Sequence, residues 1–409
     1  MNVRTENKVV PKLRFGEFED DWNNHLLDDI ATFLKGKGIS KSELDDDGKT
    51  ECIRYGELYV YYNELIDEVK SKTNLKNIVL SKANDVIIPA SGETQLDIAT
   101  ASCVLRSGIA LGGDLNIIRT DNNGVFLSYY LNSKKKFEIA RLSQGSSVVH
   151  LYASQLKTLK LNLPSLTEQQ KIASFLSALD KKLQQLTKKK ELLEEYKKGI
   201  MQIIFSQELR FKDDSGNNYP DWEEKRLNDV FNSKRGSGLS GKNIVSDGKN
   251  KCILYGALYT KYDEVIDEVL ESTNEEGKVE SQIGDILVPA STTTTGIDLA
   301  NFTALNQEGV LLGGDISILR FIKKGYNVYW AYYLTHYKKN QVARYAQGST
   351  IVHIYFSHFG KIQIKEPSFE EQKKIANFLS SIDSKIELVS TQIENTKAFK
   401  KGLLQQMFV

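Results

Sequence analysis

Two long stretches of the chain place apolar side chains at alternating spacings of three and four residues. The first stretch follows Pro164 and carries the series Leu176, Leu179, Leu183, Leu186, Leu193, Ile200 and Ile204. The second follows Pro367 and carries the series Leu379, Ile382, Ile386, Val389, Ile393, Leu403 and Met407. Neither stretch contains a proline or a cluster of turn-forming residues. The pattern predicts one long helix in each stretch, with the apolar seam that is typical of a coiled coil.

Polar residues interrupt each seam, namely Lys190 and Lys197 in the first helix and Thr396 and Lys400 in the second. An apolar stripe of this kind also arises when a helix packs on its own globular domain. Because the two helices have nearly the same sequence and each needs a partner of matching length, we favour pairing of the two helices with each other. Antiparallel pairing would place two globular parts at opposite ends, related by a pseudo-two-fold axis.

The residues that precede each helix follow a different pattern. Short runs rich in Val, Ile and Tyr are bounded by Gly, Asp, Asn and Ser, which is typical of strands and turns. In chain order the clearest strand-like runs are NDVIIPAS, GDLNIIR and LKLNLP, then GDILVPAS, GDISILR and IQIKEP. The pattern predicts an α+β fold, in which two similar globular domains are joined by two long helices that form an antiparallel coiled coil.

The chain is an internal duplication. IRYGELYVYYNELIDEV at 53–69 matches ILYGALYTKYDEVIDEV at 253–269, and ARLSQGSSVVHLY at 140–152 matches ARYAQGSTIVHIY at 343–355. A repeat of about 200 residues is too long for a solenoid unit, so a whole module has been doubled. The predicted division is a first globular domain, a first helix, a second globular domain and a second helix, at residues 1–165, 166–207, 208–368 and 369–409.

Composition and charge narrow the class of protein only slightly. The 409 residues carry a formal net charge of +1, so any basic surface for a polyanion has to be local. The chain has no apolar run long enough to span a bilayer and no signal-peptide pattern at its start, which leads us to expect a cytoplasmic protein. The three cysteines form no CxxC pair and have no histidine at ligand spacing, so we expect neither disulfides nor a metal site.

Motifs for catalysis or cofactor binding are missing from the sequence. It contains no GxGxxG after a strand, no P-loop and no HExxH, and its six prolines are isolated, which excludes the Asn-Pro-Pro-aromatic motif of amino-methyltransferases. Asp114 and Asp315 in LGGD are best explained as turn residues. His150 and His353 have no paired nucleophile and are more often structural or contact residues. We therefore expect no catalytic residue, no metal and no cofactor in this chain.

Binding of nucleic acid fits the repeated polar segments better. Tyrosines around a glycine, a loop after each PAS and the turns QGSS and QGST offer amides for base edges and hydroxyls for phosphates. About half of the tyrosines are expected to line the core instead, and the Gln-Gly turns could equally serve only to close a loop. Basic residues in KGKGISKS and KRGSGLSGKN are candidates for phosphate contact or for a solvated loop. The candidate DNA-binding residues are Lys37, Lys41, Tyr55, Gly56, Tyr59, Tyr61, Tyr62, Ser91, Gly92, Glu93, Thr94, Gln144, Gly145, Ser146, Ser147, Arg235, Lys242, Tyr255, Gly256, Tyr259, Lys261, Tyr262, Ser291, Thr292, Thr293, Thr294, Thr295, Gln347, Gly348, Ser349 and Thr350.

The arrangement resembles the specificity (S) subunit of type I restriction-modification enzymes. The resemblance rests on LKLNLPSLTEQQKIASFLSALDKKL and IQIKEPSFEEQKKIANFLSSIDSKI, each entering a long helix, and it covers essentially the whole chain. It implies two target recognition domains that each read one half of a bipartite site in double-stranded DNA. It also implies helices that set the spacing and dock two modification subunits, which carry S-adenosylmethionine, while two restriction subunits complete the nuclease.

Helix length agrees with such a spacing role. A helix of about 38 residues is ~57 Å long, and half-sites one helical turn apart are separated by ~34 Å. Because the two globular domains share motifs, we hypothesise that the two half-sites are related in sequence, and that differences arise at Gly92 to Thr94 against Thr292 to Thr295 and at Tyr61 against Lys261. Two alternatives remain open, namely a coiled-coil adaptor that binds a partner other than DNA and, more remotely, a stand-alone DNA-modifying enzyme.

Overall fold

The computed structural model of the protein describes residues 9–276 and 279–409. The chain divides into two compact units, of which the first contains residues 1–188 and 390–409 and the second contains residues 189–389. Each unit therefore combines one globular part, the first half of the long helix that follows it, and the final part of the other long helix. The four-part division made from the sequence stays a prediction, and residues 1–8 of its first domain lie outside the described residues.

The globular part of the first unit is built on two sheets and two short strand pairs. The five-stranded sheet has the spatial order Ala31–Lys35, Leu115–Thr120, Asp85–Pro89, Ser102–Val104 and Leu65–Ile66. The four-stranded sheet has the order Ser71–Thr73, Thr50–Ile53, Ala110–Leu111 and Val79–Leu80. The strand pairs are Asn23–Leu26 with Lys160–Leu163 and Ser91–Gly92 with Val149–His150. The strand-like runs read from the sequence are thus confirmed as strands.

Short helices connect and cover these strands. The α-helices of the first globular part are Leu27–Ile30, Gln95–Ile98, Gly124–Ser133, Lys136–Leu142 and Ala153–Leu156, and its 3₁₀ turns are Lys41–Glu43 and Tyr55–Tyr59. The helix Gly124–Ser133 is buried along most of its length because Phe126, Leu127, Tyr129 and Tyr130 face the core that the five-stranded sheet also contributes to.

The second unit repeats this architecture. Its five-stranded sheet has the order Phe231–Arg235, Ile316–Phe321, Asp285–Pro289, Thr303–Leu305 and Val265–Ile266, and its four-stranded sheet has the order Ile244–Val245, Glu271–Thr273, Asn250–Ile253 and Leu311–Leu312. The strand pairs are Glu223–Arg226 with Gln363–Glu366 and Ser291–Thr292 with Val352–His353. The helices are Leu227–Val230, Ala257–Thr260, Gly296–Leu299, Asn327–Tyr332, Lys339–Ala343 and Phe356–Phe359, with a 3₁₀ turn at Gly241–Asn243 and a π-helical turn at Tyr333–Tyr337.

The two long helices span Leu166–Phe205 and Phe369–Gln406. Every residue of the two predicted seams is buried or half-buried. In the first unit the helices run antiparallel, because Asp180 contacts Lys400 whereas Leu176, earlier in the first helix, shares a core cluster with Met407, later in the second. The same relation holds in the second unit, where Asp383 contacts Lys197 whereas Ile375, earlier in the second helix, shares a core cluster with Ile204, later in the first. The antiparallel pairing expected from the seams is confirmed within each unit.

A buried ion pair fixes the start of each long helix. Glu168 of the first helix accepts hydrogen bonds from Arg14 Nε at 2.8 Å and from the indole nitrogen of Trp22 at 3.4 Å. Its neighbour Gln169 accepts from the backbone nitrogen of Asn123 at 3.0 Å and donates to the carbonyl of Pro164 at 3.0 Å. Removal of one partner from such a buried network strongly destabilises the fold, because the other partner stays buried without its hydrogen bonds. The Glu-Gln pair in the sequence EQ thus anchors the helix to its globular part.

The second unit has the same anchor. Glu371 pairs with Arg210 at 2.8 Å and accepts from the indole nitrogen of Trp222 at 3.0 Å. Gln372 accepts from the backbone nitrogen of Tyr326 at 2.9 Å. The recurrence explains why EQ appears at matching positions of both copies, since the two side chains hold together segments that are distant in the sequence.

Two of the three lysines that interrupt the seams, Lys400 and Lys197, lie in partly buried charge clusters. Lys400 bridges Glu64 at 3.2 Å and Asp180 at 2.7 Å, and its ammonium lies 5.2 Å from the ring centre of Tyr129. Tyr129 in turn donates to the other oxygen of Asp180. We call Lys400, Glu64, Asp180 and Tyr129 the first lysine junction. It joins the globular part to both long helices within one unit.

The second lysine junction consists of Lys197, Glu264, Asp383 and Tyr332. Lys197 lies 3.4 Å from Glu264 and 2.7 Å from Asp383, and Tyr332 donates to Asp383. Burial by itself raises the pKa of Glu264, but a hydrogen bond from His336 and the charge of Lys197 outweigh burial and lower that pKa to about 2. Glu264 is therefore a carboxylate at neutral pH, as its lysine partner requires.

The described part of the chain contains no helix that is long and apolar enough to cross a membrane. All three cysteines are buried thiols within the sheets.

Candidate nucleic-acid interface

The predicted tyrosines of the first unit form one compact turn. Tyr55 and Tyr59 lie at the two ends of a 3₁₀ turn, and their rings meet edge to face at 6.4 Å. Tyr61 is exposed, with the ammonium of Lys70 lying 4.4 Å above its ring. Tyr62 lies in the core, where its hydroxyl accepts a hydrogen bond from the backbone nitrogen of Lys70. Tyr62 therefore supports the turn from the core side and is not available at the surface.

Tyr59 joins this turn to the loop that follows PAS. Its hydroxyl donates to the carbonyl of Ser91 at 2.7 Å. Burial, with smaller contributions from Tyr55 and Asp97, raises the pKa of Tyr59 and keeps the hydroxyl protonated. A Cβ at Gly92 would lie 2.9 Å from that hydroxyl oxygen, so a larger residue would push the Tyr59 hydroxyl out of its present position. Two of the predicted segments are thus in direct contact.

The QGSS segment is a tight turn closed by backbone hydrogen bonds. The nitrogen of Gln144 donates to the carbonyl of His150 at 2.9 Å, and the nitrogen of His150 donates to the carbonyl of Gln144 at 2.7 Å. Gly145 has a φ of 120°, and a Cβ there would lie 2.1 Å from the carbonyl oxygen of Val148, which requires glycine. The backbone of Gln144 closes the turn while its side chain is exposed.

A short strand pair brings the QGSS turn against the loop after PAS. Ser91 pairs with His150 across antiparallel strands, and its hydroxyl lies 3.2 Å from Nδ1 of His150. Together with the Tyr59 contact, this pair places the tyrosine turn, the loop after PAS and the QGSS turn on one continuous surface. We call this surface the first reading surface. Beside it is a pocket of about 360 Å³, which is lined by Lys35, Asp114, Asn116, His150 and Tyr152 among others.

The second unit builds an equivalent surface, which we call the second reading surface. Gln347 and His353 exchange backbone hydrogen bonds of 2.9 and 2.7 Å, and Gly348 has a φ of 118°. Ser291 lies 2.8 Å from Nδ1 of His353. The backbone hydrogen bonds of the two turns have the same lengths and the glycine φ values differ by only 2°, so one local architecture is present in both copies.

The tyrosine turn differs between the two surfaces. At the position of Gly92 the second copy has Thr292, whose hydroxyl contacts that of Thr294 at 2.8 Å. Within the described residues, the hydroxyl of Tyr259 makes no hydrogen bond to the backbone of Ser291. The ring of Tyr259 lies 6.5 Å from that of Tyr255, so the ring contact is kept in both turns and only the hydrogen bond differs.

Two further residues near this turn have internal partners. Lys261 pairs with Glu271, and the hydroxyl of Tyr262 accepts from the backbone nitrogen of Leu270 at 2.9 Å. Tyr262 thus has the same supporting role as Tyr62, and the charge of Lys261 is neutralised on the protein.

Thr94 and Thr295 cap short helices. The hydroxyl of Thr94 accepts from the backbone nitrogen of Asp97 at 3.1 Å, and Thr295 donates to Asp298 at the start of the matching helix. The two caps explain why a threonine stands at each position, and the hydroxyl of Thr294 also donates to Asp298. The exposed side chains of Glu93 and Thr293 remain accessible to a partner. The exposed members of the predicted set, apart from glycines and from residues whose side chains make an internal hydrogen bond or ion pair, are Lys37, Lys41, Tyr61, Glu93, Gln144, Ser146, Ser147, Lys242, Thr293, Gln347, Ser349 and Thr350. A Cβ added at Gly56 would have no atom within 4 Å, and a Cβ added at Gly256 would be near only the Tyr259 hydroxyl, at 3.9 Å.

The predicted basic residues are not all in one place. Lys37 pairs through its backbone with Gly112, next to the first reading surface. Lys41 and Lys242 lie on 3₁₀ turns, and no contact between described residues links their side chains to either surface. Arg235 does belong to the second reading surface, because its guanidinium lies 5.6 Å from the ring centre of Tyr355.

Tyr152 and Tyr355 are not among the residues predicted from the sequence. Tyr152 is exposed and its ring stacks on His150 at 6.0 Å, and Tyr355 stacks on His353 at the same distance. The signal that could have identified them is the recurrence of His-x-Tyr directly after each Gln-Gly turn. Asp114 has a φ of 57°, and its carbonyl accepts from Ala90, so LGGD forms a turn at the edge of the same surface.

Comparisons with known proteins give a consistent family. The model of the family described as type I restriction modification DNA specificity domain matches residues 19–195 and again residues 219–397. The type I restriction enzyme MjaVIII specificity subunit of Methanocaldococcus jannaschii is 25% identical over 406 residues, which cover 94% of this chain and 91% of that protein.

Solved structures agree at the level of the fold. The crystal structure of the type I restriction-modification system S subunit from M. genitalium aligns with a TM-score of 0.63 at 18% identity, covering 98% of this chain and 99% of that one. A chain from a structure on complex assembly and conformational transition of the type I R-M system aligns with a TM-score of 0.54 at 16% identity, covering 95% of this chain and 97% of that one. With two family matches that together span most of its length, the chain belongs to the type I restriction modification DNA specificity domain family.

Proposed function

We propose that the chain is the DNA-recognition subunit of a type I restriction-modification complex, in which each unit reads one half of a bipartite site. The observation that supports this proposal is the double occurrence of one surface, with the same Gln-Gly turn, Ser-His contact and stacked His-Tyr pair in both units. A protein that reads two stretches of duplex with one architecture needs such a repetition, since each half-site requires its own set of base and phosphate contacts.

Within this proposal the exposed amides of Gln144 and Gln347 contact base edges, for which a bidentate contact to adenine is the favoured geometry. The neighbouring hydroxyls of Ser146 and Ser349 contact phosphates. Gly145 and Gly348 have no side chain, so the backbone of each turn and its neighbouring side chains can approach the duplex closely. The antiparallel helices set the spacing between the half-sites.

The chemistry is assigned to partner subunits. Two modification subunits dock on the helices, bind S-adenosylmethionine and methylate adenine, and two restriction subunits complete the nuclease. The chain itself is proposed to be non-catalytic and to carry no cofactor. This assignment agrees with the name of the MjaVIII relative, which is a specificity subunit.

The direct test is to express the chain with its modification subunit and to map methylated adenines across the host genome. We expect a bipartite motif, and we expect Gln144→Ala and Gln347→Ala to relax or abolish recognition of different half-sites. Gln341→Ala is the matched control, since this exposed glutamine lies six positions before Gln347 on the helix Lys339–Ala343. Salt-independent binding, or no binding to duplex in the presence of the modification subunit, would favour an adaptor for another partner.

The same map tests whether the half-sites are related. The shared geometry of the two reading surfaces supports an imperfect inverted repeat. Two half-sites with no bases in common would contradict that hypothesis while leaving the DNA-recognition function intact.

A further inference from the structure

Arg235 has a fixed place at the edge of the second reading surface. It is the last residue of the strand Phe231–Arg235 and pairs there with Ser317. The next residue, Gly236, approaches Gly313 so closely that a Cβ would lie 2.0 Å from its carbonyl oxygen. The chain turns at this point, and the side chain of Arg235 projects with 58% of its surface exposed.

Two neighbours hold the guanidinium in position. Asp315 accepts a hydrogen bond from one terminal nitrogen of Arg235, and the ring of Tyr355 lies 5.6 Å away. Both neighbours are themselves fixed. Asp315 lies in the LGGD turn, where its carbonyl accepts from Ala290 at 2.8 Å, and Tyr355 stacks on His353. The orientation of Arg235 is therefore set before any partner arrives.

The fixed orientation of the Arg235 guanidinium favours one of two roles that an arginine can have at a DNA surface. A phosphate contact needs positive charge and tolerates a mobile side chain, whereas a base contact needs a planar fork in one orientation. The carboxylate of Asp315 offsets the charge of Arg235, which weakens attraction to a phosphate. The side chain is 58% exposed, so N–H groups of the guanidinium that do not bond to Asp315 remain accessible, and such a fork matches the O6 and N7 acceptors of guanine.

The first unit has the same support without the arginine. Lys35 occupies the position that matches Arg235, while Asp114 and Tyr152 match Asp315 and Tyr355. Asp114 has a φ of 57° against 59° for Asp315, and Tyr152 stacks on His150 just as Tyr355 stacks on His353. Lysine cannot form the bidentate contact. The two units can therefore be compared within one chain, since the same position holds arginine in the second unit and lysine in the first.

We propose that Arg235 reads a guanine in the half-site of the second unit, held in its reading orientation by Asp315 and Tyr355, and that Lys35 gives the first unit no such preference. This inference rests on the proposed function. It replaces the phosphate contact expected for Arg235 from the sequence, and it predicts one defined difference between otherwise related half-sites.

The experiment is methylation mapping with the chain and its modification subunit. The wild-type motif should contain an invariant guanine in one half-site, and Arg235→Lys should relax that position alone, with discrimination against other bases falling roughly 5- to 150-fold. Lys35→Arg should add a guanine requirement at the equivalent position of the other half-site. Asp315→Asn should weaken the same position as Arg235→Lys, because it releases the guanidinium.

Each opposite result has a defined meaning. If Arg235→Lys keeps the wild-type motif and affinity, while Arg235→Gln lowers methylation equally at all sites and reduces the salt dependence of binding, Arg235 is a phosphate contact and the inference is overturned. An unchanged motif in both Arg235→Lys and Lys35→Arg overturns it as well. Because Lys35 lies in the other unit, its variant remains informative if the second unit folds poorly without Arg235. A wild-type complex that methylates no specific site would refute the proposed function itself.

Discussion

Replacement of Lys400 by methionine should destabilise the first unit through a single electrostatic cause. The side chain of Lys400 is 15% exposed and lies between the side chains of Glu64 and Asp180, which are 16% and 25% exposed. Methionine has a similar length and keeps the contact with neighbouring apolar atoms. The substitution therefore removes the cation and leaves two partly buried carboxylates facing each other.

The magnitude follows from the burial of the first lysine junction. Removal of one partner from a buried ion pair costs about 3–5 kcal/mol, because the remaining charge is left without compensation. Residual exposure of both carboxylates lets water reduce that cost, so we expect a loss of about 3 kcal/mol. Lys397→Met is the matched control on the same helix. Lys397 is 60% exposed and pairs with the exposed Glu394, so its loss should cost about 0–1 kcal/mol.

Hydrogen exchange of the full-length chain is the assay that separates the two units. Lys400→Met should increase exchange in peptides from residues 9–188 and 390–409 and leave peptides from the second unit nearly unchanged. Lys197→Met should produce the opposite pattern, since it removes the second lysine junction. Urea denaturation of the same proteins gives the free energy of unfolding.

A second substitution tests the cause. If two uncompensated carboxylates are responsible, Glu64→Gln should recover part of the lost stability when it is added to Lys400→Met. In the wild-type background the same substitution should lower stability, because it removes a partner of Lys400. The reasoning is refuted if Lys400→Met is as stable as Lys397→Met, or if Glu64→Gln lowers stability further in the methionine background.

Three further predictions concern other parts of the two units. Gly145→Ala should strain the QGSS turn by about 1–3 kcal/mol, and methylation mapping should show loss of one half-site only. Glu168→Gln should cost about 3 kcal/mol in urea denaturation, because it leaves the guanidinium of Arg14 without its buried carboxylate. Glu264 has a folded pKa of about 2, below the value of ~4.3 in unfolded chains. Its contribution to stability is thus complete above about pH 5 and is lost as the pH falls towards 2, and denaturation across this range should show a flatter pH profile for Glu264→Gln.

Much of the fold could be predicted because its signals are local or repeated. The three-and-four spacing identified both long helices, which span Leu166–Phe205 and Phe369–Gln406. The polar interruptions at Lys197 and Lys400 were visible as breaks in the seam. Their partners were not visible, because Glu64 is 336 positions away from Lys400 and only the antiparallel packing brings them together.

The candidate site was predictable as a set of segments but not as a surface. Repetition identified the tyrosine turn, the loop after PAS and the Gln-Gly turn, since each recurs in both copies. Sequence could not tell that Tyr62 supports the turn while Tyr61 is exposed, because adjacent residues in an irregular turn follow no fixed periodicity. Tyr152 was missed for a related reason, since its stacking on His150 and its place beside Lys35 depend on how strands meet.

By itself the sequence determined the duplication, the α+β composition of each copy and the two helices with their apolar seams. These features follow from backbone preferences and side-chain periodicity, which act over a few residues and are written twice. The tertiary structure alone decided which charges compensate each other and which side chains share a surface. Lys400 finds Glu64, Tyr59 finds Ser91 and Arg235 finds Asp315 and Tyr355 because packing brings distant segments within hydrogen-bonding or stacking distance.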